Sequence, residues 1–227
     1  MGRSRRAGVR WPRTPSGWRR PATRRSRSTS DVATDTTVLW GVGLAGCGAL
    51  DVAANDPRID GVVAQTPILS GRAFLRRRGL GFVAGGLLTG LRDRLQSVVA
   101  GPHLVPVADD GREGGSRLAL VSGPGTVRGY RDLASEEWDN RTPARSVLAL
   151  WRHTDDDTRT RPACPVLLVS GTRDDVASVD AAEAAAASLP DATLVRLPAG
   201  HFDLYEGRGF ERCLRHGVAF LDTVQTR

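Results

Sequence analysis

The sequence predicts an α/β fold, in which a mostly parallel sheet carries helices on both faces and a helical cap is inserted between two strands. Two stretches support this prediction. Residues 36–65 read as a strand, a glycine-rich turn, a helix and a second strand, and residues 164–221 alternate strand and helix twice. Because a β-α-β order joins its strands by crossovers, we expect these strands to run parallel in one sheet.

The first strand and helix enclose a very tight turn. The run TTVLW at residues 36–40 has the β-branched and aromatic residues that suit a buried strand. GVGLAGCG follows, and the apolar positions from Leu44 to Ala53 predict a helix packed against that strand. Strand, sharp turn and helix form the geometry of a nucleophile elbow, which directs the next backbone N–H at a reacting oxygen. The apex of this elbow is Gly43, and the next N–H is that of Leu44.

A second strand is predicted at residues 59–65, after Asn55, Asp56 and Pro57 end the helix. Residues 72–161 are less regular. Their apolar spacing predicts a helix near residues 87–99 and another at residues 144–151, with loops rich in Gly, Pro and Asp between them. The positions that predict the longer helix are Leu87, Leu88, Leu91, Leu95, Val98 and Val99. We interpret this block as a mostly helical cap inserted between two strands of the sheet.

The alternation resumes with the strand CPVLLVSG, which ends in a loop containing Asp174. A helix rich in alanine, a strand at residues 193–197 and a loop containing His201 follow. The last predicted helix has one apolar face, formed by Phe210, Cys213, Leu214, Val218 and Leu221. In a parallel sheet both loops leave from the carboxyl edge, as does the turn at Gly43. We therefore expect Gly43, Asp174 and His201 to meet there.

In these segments the chain resembles the α/β-hydrolase family, and more narrowly its esterase, peptidase and dienelactone-hydrolase-like members. LWGVGLAG matches the G-x-S-x-G turn of the family, VLLVSGTRD its strand and acid loop, and AGHFDLYEG its histidine loop. The resemblance covers residues 36–221. It implies that Asp174 orients His201, that His201 acts as general base and then general acid, and that the Leu44 N–H forms half of an oxyanion hole. His103, His153 and His216 are interpreted as structural.

The main departure from the family pattern is Gly43, which stands where the family has the nucleophilic serine. Loss of a triad nucleophile costs about 10⁶ in turnover. We therefore interpret the chain as a hydrolase of carboxylic ester or amide bonds by ancestry that is inactive or severely impaired. Three replacements rank low. Cys47 is expected to be packed inside the elbow helix, where a buried thiol is unreactive, and Ser70 and Ser122 lie in loops without elbow geometry.

The second departure lies before the elbow, where the family builds several strands. We interpret the chain as the C-terminal two-thirds of a hydrolase domain, truncated at its N-terminus. Residues 1–35 are predicted to be a disordered tail, because residues 1–30 hold ten Arg, no acidic residue and no apolar periodicity. The remaining residues carry 22 Arg against 25 acidic residues, so the formal charge of +7 belongs to the tail. Leader sequence from a misassigned start, a transit peptide and a nucleic-acid-binding arm remain open for it.

Two other functional classes are considered. The first is a non-catalytic binding module, which would hold a small acyl ligand or a partner in the cleft, or nucleic acid through the tail. The second is a dinucleotide-binding domain, since Gly41, Gly43 and Gly46 match G-x-G-x-x-G, but Gln65 and Thr66 stand where that fold needs an acidic residue.

The composition adds several expected absences. Three scattered cysteines predict neither a disulfide framework nor a metal site, and no cofactor is expected. No run approaches ~20 apolar residues, so we expect no membrane span and a cytoplasmic location. The expected partner is a small ester or amide, nucleic acid is disfavoured, and the oligomeric state is left open.

Overall fold

Four parallel strands form the central sheet. These strands are β1 (Val38–Val42), β2 (Gly61–Gln65), β7 (Val166–Gly171) and β8 (Ala192–Leu197), and they lie side by side in that order. Every neighbouring pair is parallel. The structure, a computed structural model, describes residues 36–111, 117–152 and 161–226. The predicted tail and His153 lie outside these ranges. The predicted parallel sheet is confirmed.

The strand that leads into the elbow differs in burial from the prediction. β1 starts two residues later than expected and is only partly buried, and Trp40 keeps 36% of its surface exposed. β2 and β7 are buried along their whole length. The difference arises because β1 is the outermost of the four described strands, so the structure shows one neighbouring strand beside it.

Helices cover both faces of the sheet, as predicted. They are α1 (Leu44–Asn55), α6 (Val179–Ser188) and α7 (Gly207–Gln225). Side chains alternate along each strand, so Val62 and Ala64 of β2 pack with α1 and α6, whereas Val63 packs on the side of α7.

The apolar face predicted for α7 was partly wrong. Cys213 is buried, but Val218 is 47% exposed. The helix faces the sheet through Cys213, Gly217 and Val224 instead. Gly217 allows this contact, because a Cβ atom there would lie 2.3 Å from the Trp40 ring.

The residues between β2 and β7 form a separate cluster of helices and short strands. Its helices are α2 (Gly71–Arg76), α3 (Leu80–Ala100), α4 (Thr126–Leu133) and α5 (Ser146–Arg152). Its strands are β3 (Leu104–Pro106), β4 (Ala108–Asp109), β5 (Val121–Ser122) and β6 (Arg141–Pro143), which pair as β3 with β6 and β4 with β5. The sequence did not predict these strands, because two or three residues are too few to show an alternating pattern.

The long predicted helix exists as α3, but of the six residues on its expected apolar face only Leu87 packs against the neighbouring helices. Leu88, Leu95 and Val99 are 70% to 87% exposed. The buried side contains Gly86 and Gly90. A Cβ at Gly86 would lie 3.1 Å from Val147, so the missing side chains let α5 approach closely. Within the described ranges, no helix combines the length and hydropathy needed to span a bilayer.

Candidate active site

The elbow turn between β1 and α1 has Gly43 at its apex, with φ 56° and ψ −121°. This backbone conformation strains any residue that carries a Cβ. The Gly43 N–H donates to the Gln65 carbonyl at 2.9 Å, and its own carbonyl accepts from the Ile68 N–H at 3.0 Å. The end of β2 thus fixes the apex. The Leu44 N–H lies in the first turn of α1, where a helix offers no internal acceptor, so it is available to a ligand oxygen.

Asp174 and His201 form a buried pair at the carboxyl edge of the sheet. Asp174 Oδ2 lies 2.8 Å from His201 Nδ1, and the two side chains are 1% and 5% exposed. The other oxygen, Oδ1, accepts the N–H groups of Val176 and Ala177 at 2.8 and 2.7 Å. These bonds fix the carboxylate in place. The structure therefore puts Asp174 against the histidine, while the neighbouring Asp175 is exposed.

Two residues that the sequence analysis did not select complete this cluster. The Tyr205 hydroxyl lies 3.1 Å from His201 Nε2 and 2.9 Å from the Thr66 hydroxyl. A Cβ atom added to Gly43 would lie 3.7 Å from the same phenol oxygen. Burial raises the pKa of Tyr205 to about 12, so the phenol is protonated at neutral pH.

One signal in the sequence could have identified Tyr205. It follows His201 by four residues, and a helical turn places such residues on the same side. The structure has a 3₁₀ turn at Phe202–Leu204 between them. The position of Thr66 was less accessible to sequence reasoning, because it depends on a left-handed backbone with φ 44°, which is unusual for threonine.

The side chains considered as replacements for the nucleophile lie in the core or in secondary-structure elements away from the elbow apex. Cys47 is 6% exposed and lies in the core. Cys213, on the buried face of α7, is also shielded from solvent, and burial raises the pKa of its thiol to about 11. The Ser70 hydroxyl accepts the Ala73 N–H at the start of α2, and Ser122 lies in β5. Of the remaining described histidines, His103 and His216 are exposed. None of these residues lies at the apex of the elbow.

The end of β2 does not provide a carboxylate for a dinucleotide ribose. Gln65 is 2% exposed, its amide nitrogen donates to the Leu204 carbonyl at 2.7 Å, and its amide oxygen accepts from the Trp40 indole at 3.2 Å. This amide is therefore used to join β2 to the histidine loop. Among residues 36–111, 117–152 and 161–226, no group of three His, Cys, Asp or Glu side chains is arranged to hold a metal ion.

The inserted segment reaches the histidine loop through α4. Tyr130 packs edge-on against Phe202 with ring centres 5.3 Å apart, and Phe202 packs edge-on against the His201 ring at 5.2 Å. The approach is close, because a Cβ at Gly129 would overlap the Phe202 ring. The segment predicted as a cap thus contacts the residue that follows the histidine.

No family model matches the chain. The chain is 29% identical over 204 residues to the quorum-quenching protein AidA of Acinetobacter baumannii, a match that covers 88% of this chain. It spans 65% of the length of that relative, which is less than two thirds.

Solved structures show the same fold. A complex of DcsB with its substrate analogue has a TM-score of 0.67 at 19% identity, covering 86% of this chain and 67% of that one. The α/β-hydrolase GrgF from Penicillium has a TM-score of 0.60 at 18% identity, covering 84% and 64%. A monoglyceride lipase variant from Saccharomyces cerevisiae has a TM-score of 0.57 at 11% identity, covering 83% and 62%. The resemblance noted in the sequence is confirmed at the level of fold, and the chain is an α/β-hydrolase-fold protein.

Proposed function

We propose that the protein is by ancestry a hydrolase of carboxylic ester or amide bonds in which serine-dependent catalysis is lost or severely reduced. One observation supports this most strongly. The acid and histidine are paired at 2.8 Å, while the elbow apex that should present a hydroxyl to them is Gly43. The group that polarises the nucleophile is retained, and the nucleophile itself is missing.

The chemistry that remains is limited. In a complete triad the histidine takes a proton from the serine hydroxyl while that oxygen attacks the carbonyl carbon. Gly43 has no hydroxyl to give, so no covalent acyl intermediate forms at the elbow. The Leu44 N–H can still bind a carbonyl oxygen, and binding with such a donor leaves about 10³ to 10⁴ of rate enhancement over water. Removal of the nucleophile costs about 10⁶.

A second candidate function is binding of a small acyl compound without turnover. The observation that favours it is the space at the apex. Among the described residues outside the elbow itself, only the Tyr205 hydroxyl lies within 4 Å of a Cβ position built on Gly43. A ligand carbonyl could occupy this space and accept the Leu44 N–H. The bacterial relative is named for quorum quenching, so small signalling molecules are the first class of ligand to test.

The wild-type protein is expected to give no burst of p-nitrophenol when mixed with p-nitrophenyl acetate. A burst requires an acyl-enzyme, and Gly43 cannot form one. The measurement is stopped-flow absorbance, at a protein concentration at which one p-nitrophenol per chain exceeds the instrument noise. An active serine esterase is measured at the same concentration. Heat-denatured protein corrects for nonspecific hydrolysis. A burst of one p-nitrophenol per chain would overturn the proposal.

A further inference from the structure

The strongest unassigned feature of the site is the phenol that faces His201. We propose that Tyr205 is a positioning residue that occupies Nε2 of His201, so that the histidine cannot act as a base for any hydroxyl at position 43. This inference rests on the proposed function, because it gives a second reason why Asp174 and His201 do not activate a nucleophile. It also adds a claim, which is that restoring a serine would not by itself restore catalysis.

The direction of the hydrogen bonds follows from the acid. An ionised carboxylate accepts hydrogen bonds and donates none, and Asp174 already accepts two backbone N–H groups. His201 Nδ1 must therefore donate to it, which leaves Nε2 of a neutral ring as an acceptor. The Tyr205 hydroxyl then donates a hydrogen bond to Nε2, and the Thr66 hydroxyl donates one to the phenol oxygen.

We call the occupation of His201 Nε2 by the Tyr205 hydroxyl the lock. Its physical basis is competition for one lone pair. The unprotonated nitrogen of a neutral imidazole accepts a single hydrogen bond. A serine hydroxyl at position 43 would lie one bond length beyond the Cβ position, which is already 3.7 Å from the phenol oxygen. The serine and the phenol would therefore compete for Nε2. Tyr205 holds this bond already, so a serine oxygen would meet the phenol rather than the base.

Several contacts keep the phenol in this position. The Thr66 hydroxyl holds its oxygen, and Thr66 is itself fully buried, with its N–H donating to the Val169 carbonyl at 2.7 Å. The Tyr205 ring lies 5.4 Å from the His201 ring and 6.3 Å from the Phe202 ring. The raised pKa of the phenol keeps its proton in place at neutral pH. The bond to Nε2 is therefore built into the packed histidine loop.

Three variants test the lock: Gly43→Ser, Tyr205→Phe and the double variant. We expect Gly43→Ser to label with a fluorophosphonate probe within a few-fold of the wild-type background. The double variant should label at position 43 at least about 100-fold faster than Gly43→Ser, since a freed general base contributes 10² to 10⁴. A purely structural tyrosine would produce the opposite result, because its loss would lower labelling. Equal labelling of Gly43→Ser and the double variant would overturn the lock.

The matched control is Gly43→Ser with Tyr130→Phe, which removes a phenol oxygen from the neighbouring α4 without touching His201. It should label as slowly as Gly43→Ser alone. Labelling of the wild type would count against the proposed function and leave the lock to be judged from the two serine variants. The two proposals therefore fail separately.

A second measurement avoids the strained serine. Diethyl pyrocarbonate acylates the unprotonated nitrogen of histidine, and Tyr205 covers that nitrogen in the wild type. We expect His201 to be modified about 10-fold faster in Tyr205→Phe, because the hydrogen bond on the reacting nitrogen is removed, with exposed His216 as an internal reference in the same peptide map. Equal rates for His201 in the two proteins would contradict the lock even if no serine variant folds.

Discussion

Gly41→Ala is expected to destabilise the fold by at least about 3 kcal/mol, which lowers the melting temperature by roughly 6 to 12 °C. A Cβ atom at this position would lie 2.2 Å from the Ala45 carbonyl oxygen and 2.7 Å from the Gly46 Cα. Both are backbone atoms of α1, so no side-chain rotation relieves the overlap. The helix would have to move away from β1, and the elbow apex between them would move with it.

Gly48→Ala provides the matched control for this change. Gly48 lies inside the same helix, and nothing comes within 4 Å of its added Cβ. Alanine is favoured over glycine in a helix by about 0.5 to 1 kcal/mol, so this variant should melt slightly above the wild type. Thermal unfolding followed by circular dichroism measures both. Equal melting temperatures for the two variants would show that α1 does not pack on β1 as closely as described.

Asp93→Ala is expected to lower the free energy of unfolding by about 3 to 5 kcal/mol, because two hydrogen bonds to a charged group are lost. Asp93 is fully buried in α3, and its carboxylate accepts the N–H groups of His103 and Arg145 at 2.6 and 3.0 Å. The Arg145 guanidinium also lies 3.8 Å away. Alanine would leave these two backbone donors, whose hydrogen bonds are partly buried, without their acceptor. Urea unfolding of the variant, compared with Asp132→Ala at an exposed ion pair, measures the difference. Loss of the exposed pair in Asp132→Ala should lower the free energy of unfolding by less than about 1 kcal/mol.

Asp93 also predicts how stability depends on pH. Burial by itself would raise the pKa of this carboxyl, but the backbone donors of Arg145 and His103 lower it below its ordinary value. A carboxyl whose pKa is lower in the folded state stabilises the fold above its unfolded pKa, which is about 4. That contribution is lost as the pH falls towards the folded value. The difference in free energy of unfolding between the wild type and Asp93→Ala should therefore shrink as the pH falls below about 4. A difference that stays constant with pH would contradict this.

The parallel sheet, the elbow turn at Gly43 and the loops that carry Asp174 and His201 could be predicted from the sequence, and physical reasons account for what could not. Asp174 and His201 could be predicted because chain order alone brings the ends of parallel strands to one edge. The packing face of α3 could not, because its central positions are Gly86 and Gly90, which carry no apolar signal. Tyr205 was missed because its importance depends on a distance to His201 that only the folded loop sets. The roles assigned to Asp174, His201 and Leu44 remain predictions.

The loss of the nucleophile is tested by intact mass spectrometry of the folded wild-type protein after prolonged exposure to a fluorophosphonate. Because Gly43 leaves the elbow apex without a hydroxyl, we predict an unchanged mass in the wild type. The double variant Gly43→Ser with Tyr205→Phe, treated in parallel, should gain one adduct at position 43. A stoichiometric adduct on any residue of the wild type would contradict the claim that its nucleophile has been lost.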